Sequence, residues 1–161
     1  LGTGDPEYHE RLLTLAGRAP HRMAVRLEFS ERLAHRIEAG ADIFVMPSEY
    51  EPCGLNQLYS LRYGTPHVVR ATGGLADTVT DTNDDTLQAG RANGFSFHDY
   101  SPLALAETLR RACRAYDDKH TWSQVVRQGM QEDHSWASKS AEYVTLYEKT
   151  IRQVRNGVYI S

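Results

Sequence analysis

From Asp42 to Phe97 the chain alternates short apolar runs with stretches whose apolar residues recur at helical spacing. "DIFVMP", Asp42 to Pro47, is continuously apolar, the pattern of a strand buried on both faces of a sheet. "HVVR", His67 to Arg70, and "NGFSF", Asn93 to Phe97, read as two further short strands. Upstream, "MAVRLEF", Met23 to Phe29, alternates in the manner of a strand with one buried face. Between the strands lie helices with legible ends. Asp5 caps and Pro6 opens one that runs to about Gly17, and Ser30 caps another through Ala39 that stops at Gly40. A third spans about Leu55 to Tyr63 before Gly64, and a short one covers Gly74 to Val79, followed by a polar loop. Ser101-Pro102 starts a longer helix with Leu103, Ala106, Leu109, Ala112 and Cys113 on one side, and Thr121 to about Arg155 reads as two helices broken near His134-Ser135. Strands alternating with helices predict an α/β fold: a parallel sheet with helices on both faces, and an all-helical tail at its end or edge.

Composition keeps this picture and narrows the partners. With 161 residues, 40% hydrophobic and 24% charged, the chain has the make-up of one globular domain. A net charge of -3 with both signs interspersed carries no footprint for nucleic acid or an anionic membrane. No basic-apolar leader and no long apolar span is present. "LGTGDPEYHERL" reads as a strand's last residue, a glycine turn and a helix start, so Leu1 is expected to be the edge of a fragment whose first strand lies upstream. Cys53 and Cys113 show neither metal nor redox spacing and suit a reducing compartment, and the scattered histidines include no His-x-x-x-His pair, so no metal site is expected.

The candidate chemistry sits in two turns. "PSEYEPCGLNQLYSLRYGTP", Pro47 to Pro66, puts a carboxylate pair and a Pro-Cys-Gly turn directly after one strand, and "TGGL", Thr72 to Leu75, follows the next. In open α/β sheets ligands sit outside the carboxyl ends of the strands, where both turns would lie. A helix starting near Gly54 to Asn56 offers free amides to an anion, Glu51 can accept hydrogen bonds from sugar hydroxyls, and Gly73 and Gly74 let backbone approach a ligand closely. Taken singly, Glu51 reads equally as solvated surface, the glycines as turn formers, and Cys53 as a small buried filler. Tyr143, Tyr147, Trp136 and Leu146 read as core at helical spacing. From chemistry alone this is a nucleotide or phosphosugar site.

The two motifs together, with "LGTGDPEYHERL", "FSERLAHRIEAGADIFVMPS" and "SWASKSAEYVTLYEKTI", closely resemble the bacterial glycogen synthase and plant starch synthase family. These are retaining glucosyltransferases with two Rossmann-like domains facing a cleft. The resemblance implies that residues 1–161 are most of the C-terminal, sugar-nucleotide-binding domain, with 1–133 a Rossmann-like core lacking its first strand-helix unit and 134–161 a C-terminal helix. It implies that Glu51 binds the donor glucose and is essential, that Pro52, Cys53 and Gly54 line the sugar's hydroxyls, and that the amides of Leu55 and Asn56 hold the distal phosphate. Phe29 stands where the family usually stacks a tyrosine on adenine, keeping the ring and losing the hydroxyl. Thr72, Gly73 and Gly74 match a turn lining the same donor pocket, and His35 aligns without an assigned role beyond packing.

Two departures qualify the match. Related transferases carry a second glutamate after seven intervening residues, where this chain has Tyr59, as the synthase branch does. The arginine and lysine that neutralise the diphosphate lie upstream of Leu1 in the family. The implied reaction is transfer of glucose from ADP-glucose to the non-reducing end of an α-1,4-glucan, with ADP as product, no cofactor and no metal. The implied partners are the sugar nucleotide and a glucan acceptor held by the missing N-terminal domain, with no nucleic acid and no membrane. The setting expected is bacterial cytoplasm, or a plastid if the source is a plant. This segment by itself is expected to be inactive and its sheet under-built. The alternatives are another nucleotide-sugar glycosyltransferase on the same architecture, or a non-catalytic nucleotide- or glucan-binding module.

Overall fold

The computed structural model describes residues 1–155. It divides into two compact units, Leu1–Met130 and the segment from Gln131 onward. In the first, Asp5 caps α1 (Pro6–Arg18) by accepting the Glu7 amide, and Ser30 caps α2 (Glu31–Gly40) by accepting that of Leu33. Then follow β1 (Phe44–Met46), α3 (Asn56–Tyr63), β2 (His67–Arg70), α4 (Gly73–Thr78), α5 (Asp84–Gln88), β3 (Gly94–Phe97), α6 (Pro102–Asp117) and α7 (Lys119–Gln131). The second unit contains α8 (Trp136–Arg155). The tail of the expected C-terminal helix, residues 156–161, lies outside the described residues.

The three strands form one parallel sheet in the order β1-β2-β3, with Phe44 opposite His67 and Val68 opposite Phe95. Alternation along β2 divides the core. Val68 joins Phe95, Phe97 and Ala112 on the face covered by α6, while Val69 joins Leu75 and Val79 on the face covered by α4. The expected parallel sheet with helices on both faces is therefore what folds, and each fully buried valine contributes on the order of 1.5–3 kcal/mol. Gly64 ends α3 with φ of 80°, a left-handed cap that glycine takes without strain. Gly129 of α7 packs so tightly on α3 that a Cβ there would stand 2.6 Å from Leu61 Cδ2.

Several sequence expectations are corrected. Met23 to Phe29 is not a strand; its one ladder-like bond is Gly2 N–H to Arg26 O, and alternation without a neighbouring strand to pair with builds no ladder. β1 is shorter than "DIFVMP", and Val45 is half exposed, because β1 is paired on one side only among the described residues. On α6 the packed stripe is Ala104, Leu105, Leu109, Ala112 and Ala115; Leu103 and Cys113 are exposed. Both stripes satisfy helical spacing, and the Ser101 cap together with the position of β3 selects between them. In α8 no residue is buried, so Trp136, Tyr143, Leu146 and Tyr147 are exposed and not core. Helix α5 emerges from what reads as a polar loop, started by an Asn83–Thr86 capping box.

Buried polar groups tie the helices to the sheet. Asp81 accepts the Ser96 amide and two bonds from Arg111 Nη2, joining the α4–α5 connection to β3 and α6. Thr65 donates to the carbonyls of Glu38 and Ala41 at the end of α2. Glu38 is buried, and loss of solvent raises its pKa, with nearby His35 opposing.

His67, at the start of β2, is fully buried and packs edge-on to Phe44 at 6.0 Å. Neither ring nitrogen has a hydrogen-bond partner. Burial lowers its pKa from 6.5 to about 4; the Gln57 main chain, which meets hydrogen-bond geometry with neither nitrogen, opposes that shift. A folded-state pKa below the unfolded one means that the unfolded chain takes up the proton first as pH falls. Stability from this group is therefore complete above the unfolded value and is lost between pH 6.5 and about 4, by roughly 2–3 kcal/mol at the bottom of that window. Urea unfolding of the protein and of His67→Leu across this range should show a steeper acid loss in the unsubstituted protein; parallel profiles would contradict the assignment.

Candidate active site

Both glycine-bearing turns leave the carboxyl ends of adjacent parallel strands, β1 and β2, so register alone brings them to the same end of the sheet. They meet through backbone. The Gly74 amide donates to the Glu51 carbonyl at 3.0 Å. A Cβ on Gly73 would stand 2.0 Å from that same oxygen, and one on Gly74 would stand 1.9 Å from the Cys53 carbonyl. Gly73 also adopts φ of 46°, in the left-handed region. No side chain fits between the turns, which is why the second is Gly-Gly.

A second set of bonds fastens the first turn from below. Gln57, on α3 and fully buried, donates through Nε2 to the Cys53 carbonyl at 2.9 Å and to Thr78 Oγ1 at 3.4 Å. Thr78 in turn donates to the Gly74 carbonyl at 2.6 Å, closing a loop of contacts from the first turn through α3 and α4 to the second. Gln57 Oε1 is buried with no hydrogen-bond partner. Gly54, with φ of 71°, admits that amide, since a Cβ there would lie 2.3 Å from Oε1.

Above this frame stand the candidate side chains. Glu51 is half-buried, and among the described residues no hydrogen bond or ion pair engages its carboxylate. Pro52 and Cys53 are exposed. Cys53 is thus no buried filler: its carbonyl is the clamped group and its thiol faces solvent. Leu55 is the N-cap of α3 and makes no side-chain cap bond, so the first amides of the helix, from Asn56 onward, have no side-chain acceptor. Thr72 likewise stands at the start of α4 with no side-chain cap bond. Free amides at the head of a helix carry a partial positive charge of about half a unit and attract anions.

Phe29 lies on the segment leading into α2 and is 92% exposed, and among the described residues no ring contact or hydrogen bond ties it to the turns. His35 packs between α2 and α3, with Nδ1 3.2 Å from the Tyr63 hydroxyl and its ring 5.0 Å from that of Tyr59. Tyr59, the residue where a second glutamate was the alternative, is thereby part of this helix-helix seam. The residues that sequence reading missed are Gln57, Thr78 and Arg70, all of which act on backbone carbonyls of the turns and their neighbours. The one local signal was Gln57 itself, a polar residue one helical turn beyond Cys53. A cavity of ≈ 300 Å³ opens nearby, lined by Pro47, Phe97, Tyr100 and Leu105 among others. Among the described residues no group of His, Cys, Asp and Glu side chains is placed to hold a metal ion, and no helix is long and apolar enough to cross a membrane.

Residues 2–128 match the family model described as glycosyl transferases group 1. The chain is 53% identical over 151 residues to a glycogen synthase of Dechloromonas aromatica (strain RCB), covering 94% of this chain and 31% of that protein. It is 53% identical over 147 residues to a glycogen synthase of Anaeromyxobacter sp. (strain K), covering 91% and 30%. The chain thus spans about a third of the length of these curated relatives. Among solved structures it resembles the catalytic domain of starch synthase IV from Arabidopsis thaliana bound to ADP and acarbose, with a TM-score of 0.80, 34% identity, and coverage of 94% of this chain and 31% of that one. A sucrose-phosphate synthase from Thermosynechococcus elongatus, at TM-score 0.62 and 22% identity, shares the fold.

The close approach of the turns yields a direct test. Gly74→Ala forces a methyl group against a backbone carbonyl that Gln57 holds in place, so it should cost about 1–3 kcal/mol or more and separate the turns. Gly90→Ala, at φ of 62° with nothing within 4 Å, carries backbone strain but no clash. Thermal melting should show the larger loss for Gly74→Ala, and equal losses would refute the packing account.

Proposed function

The chain belongs to the glycosyl transferases group 1, and on that footing we propose that the full-length protein transfers glucose from ADP-glucose to the non-reducing end of an α-1,4-glucan with retention of configuration. The observation that carries this reading is the Gly74–Glu51 backbone bond, which gathers a free carboxylate, the uncapped head of α3 and a glycine turn at one end of a parallel sheet. The glycogen synthase relatives and the starch synthase structure bound to ADP support the choice of reaction and donor.

In this reading the physical task is to stabilise a departing diphosphate and a cationic sugar ring. The Leu55 and Asn56 amides receive the distal phosphate by preorganised electrostatics, together with cations from upstream of this chain. Glu51 holds the donor glucose by its hydroxyls, and the main chain of Pro52, Cys53 and Gly54 lines the same sugar. Thr72, Gly73 and Gly74 close the pocket, and Phe29 offers a ring to the adenine base. No carboxylate is assigned as a covalent nucleophile; the leaving phosphate assists deprotonation of the acceptor on the same face. Amides and basic groups cover the charge, so the scheme uses neither metal nor cofactor. The glucan acceptor is brought by a preceding domain, and the setting is bacterial cytoplasm or a plastid.

The test is glucose transfer to glycogen from ADP-glucose and UDP-glucose by the full-length protein, with Glu51→Ala alongside. Turnover with ADP-glucose should fall by about 10²–10³ or more on losing Glu51, with the fold intact. A folded protein that turns over neither donor would be a binding module instead.

A further inference from the structure

Three carbonyls of the loop after β1, at every second residue, accept hydrogen bonds from outside the loop. Glu51 O accepts from the Gly74 amide and Cys53 O from Gln57 Nε2, and the third, Glu49 O, accepts from Arg70 Nη1. The three bonds fasten successive points of the segment bearing Glu51. Arg70 differs from the other two in reach. It is the last residue of β2, half-buried, and its Nε also donates to His98 O at 3.2 Å, beyond β3. Its guanidinium lies 5.3 Å from the centre of the Tyr100 ring, a cation–π distance. One planar cation thus bridges the loops after β1 and β3 across the end of the sheet.

We propose that Arg70 is a positioning residue: by bonding Glu49 O and His98 O at once it fixes the stretch that carries Glu51, and so sets where that carboxylate stands against the Thr72–Gly74 turn. The proposal rests on the donor-site reading of Glu51. The guanidinium is suited to the task because it offers several N–H donors in a rigid plane, so two carbonyls and a ring are served by one side chain without a mobile hinge. Lysine carries the charge but cannot hold both carbonyls in a fixed relation. Misplacement of a substrate-orienting group by about 1 Å costs roughly a hundredfold in rate, so a fastener two residues from Glu51 should register in kcat.

The experiment compares full-length protein with Arg70→Gln, Arg70→Lys and, as a surface control, Arg110→Gln. It measures kcat and KM for ADP-glucose, the Kd for ADP, melting temperature, and amide hydrogen exchange. Expected for Arg70→Gln are a kcat lower by about tenfold to a hundredfold, KM and the ADP Kd within about twofold, a nearly unchanged melting temperature, and faster exchange confined to residues 47–54 and 98–101. Arg70→Lys should fall between. Three results would overturn the proposal: unchanged exchange in those segments, a loss carried by KM and the ADP Kd, which would make Arg70 a ligand-contacting cation, or faster exchange throughout with a lowered melting temperature, which would make it a general stabiliser. If the unsubstituted protein turns over no sugar nucleotide, the donor-site reading fails separately, and the exchange pattern still decides whether Arg70 holds the loop.

Discussion

The approach of two backbones, Gly73-Gly74 against Glu51 to Cys53, is the constraint on which the rest of this structure depends. At 3.0 Å from the Gly74 amide to the Glu51 carbonyl, the Gly73-Gly74 chain has no room for a side chain at the contact. Everything that the site needs follows from keeping that distance: the carboxylate-bearing turn, the uncapped start of α3 and the glycine turn occupy one place because their main chains touch. A contact made of main-chain atoms is also stiff, since it has no rotamers to change.

The sheet exists at this end to hold the contact. β1 and β2 run parallel in register, so their carboxyl ends finish level with one another. Val68 and Val69 anchor β2 from opposite faces, and α3 is fixed behind the first turn by Gly64's left-handed cap and by Leu61 against Gly129. The helices that flank the sheet therefore act on the site at one remove, by fixing the strands from which the turns depart.

Most polar groups inside this frame have an identifiable task. Gln57 and Thr78 join the turns, Arg70 joins the loops beyond β1 and β3, and Asp81 with Arg111 joins α6 to β3. His67 and the Gln57 Oε1 atom are instead buried without partners, a cost that the surrounding core has to offset.

The order of strands and helices was open to reading because it depends on local rules: Asp5, Ser30 and Ser101 as caps, Gly64 as a stop, and apolar runs at Ile43–Met46 and His67–Val69. The two turns and their neighbourhood were legible for the same reason, since a motif is a local string. Met23–Phe29 shows the limit of such rules, because alternation announces a strand but only a neighbouring strand can complete it. The choice between two helical stripes on α6, and the exposure of Val45 and Cys53, were likewise decided by what lies opposite. Which carbonyls of Glu49, Glu51 and Cys53 accept these bonds could not be read from the sequence, because a carbonyl is the same on every residue. By itself the sequence determined most of the elements, the family and the candidate carboxylate. Only the tertiary structure decided how the turn bearing that carboxylate is held, since the Gly74 amide and the Arg70 side chain reach its carbonyls from a segment that meets it only when the parallel strands pair.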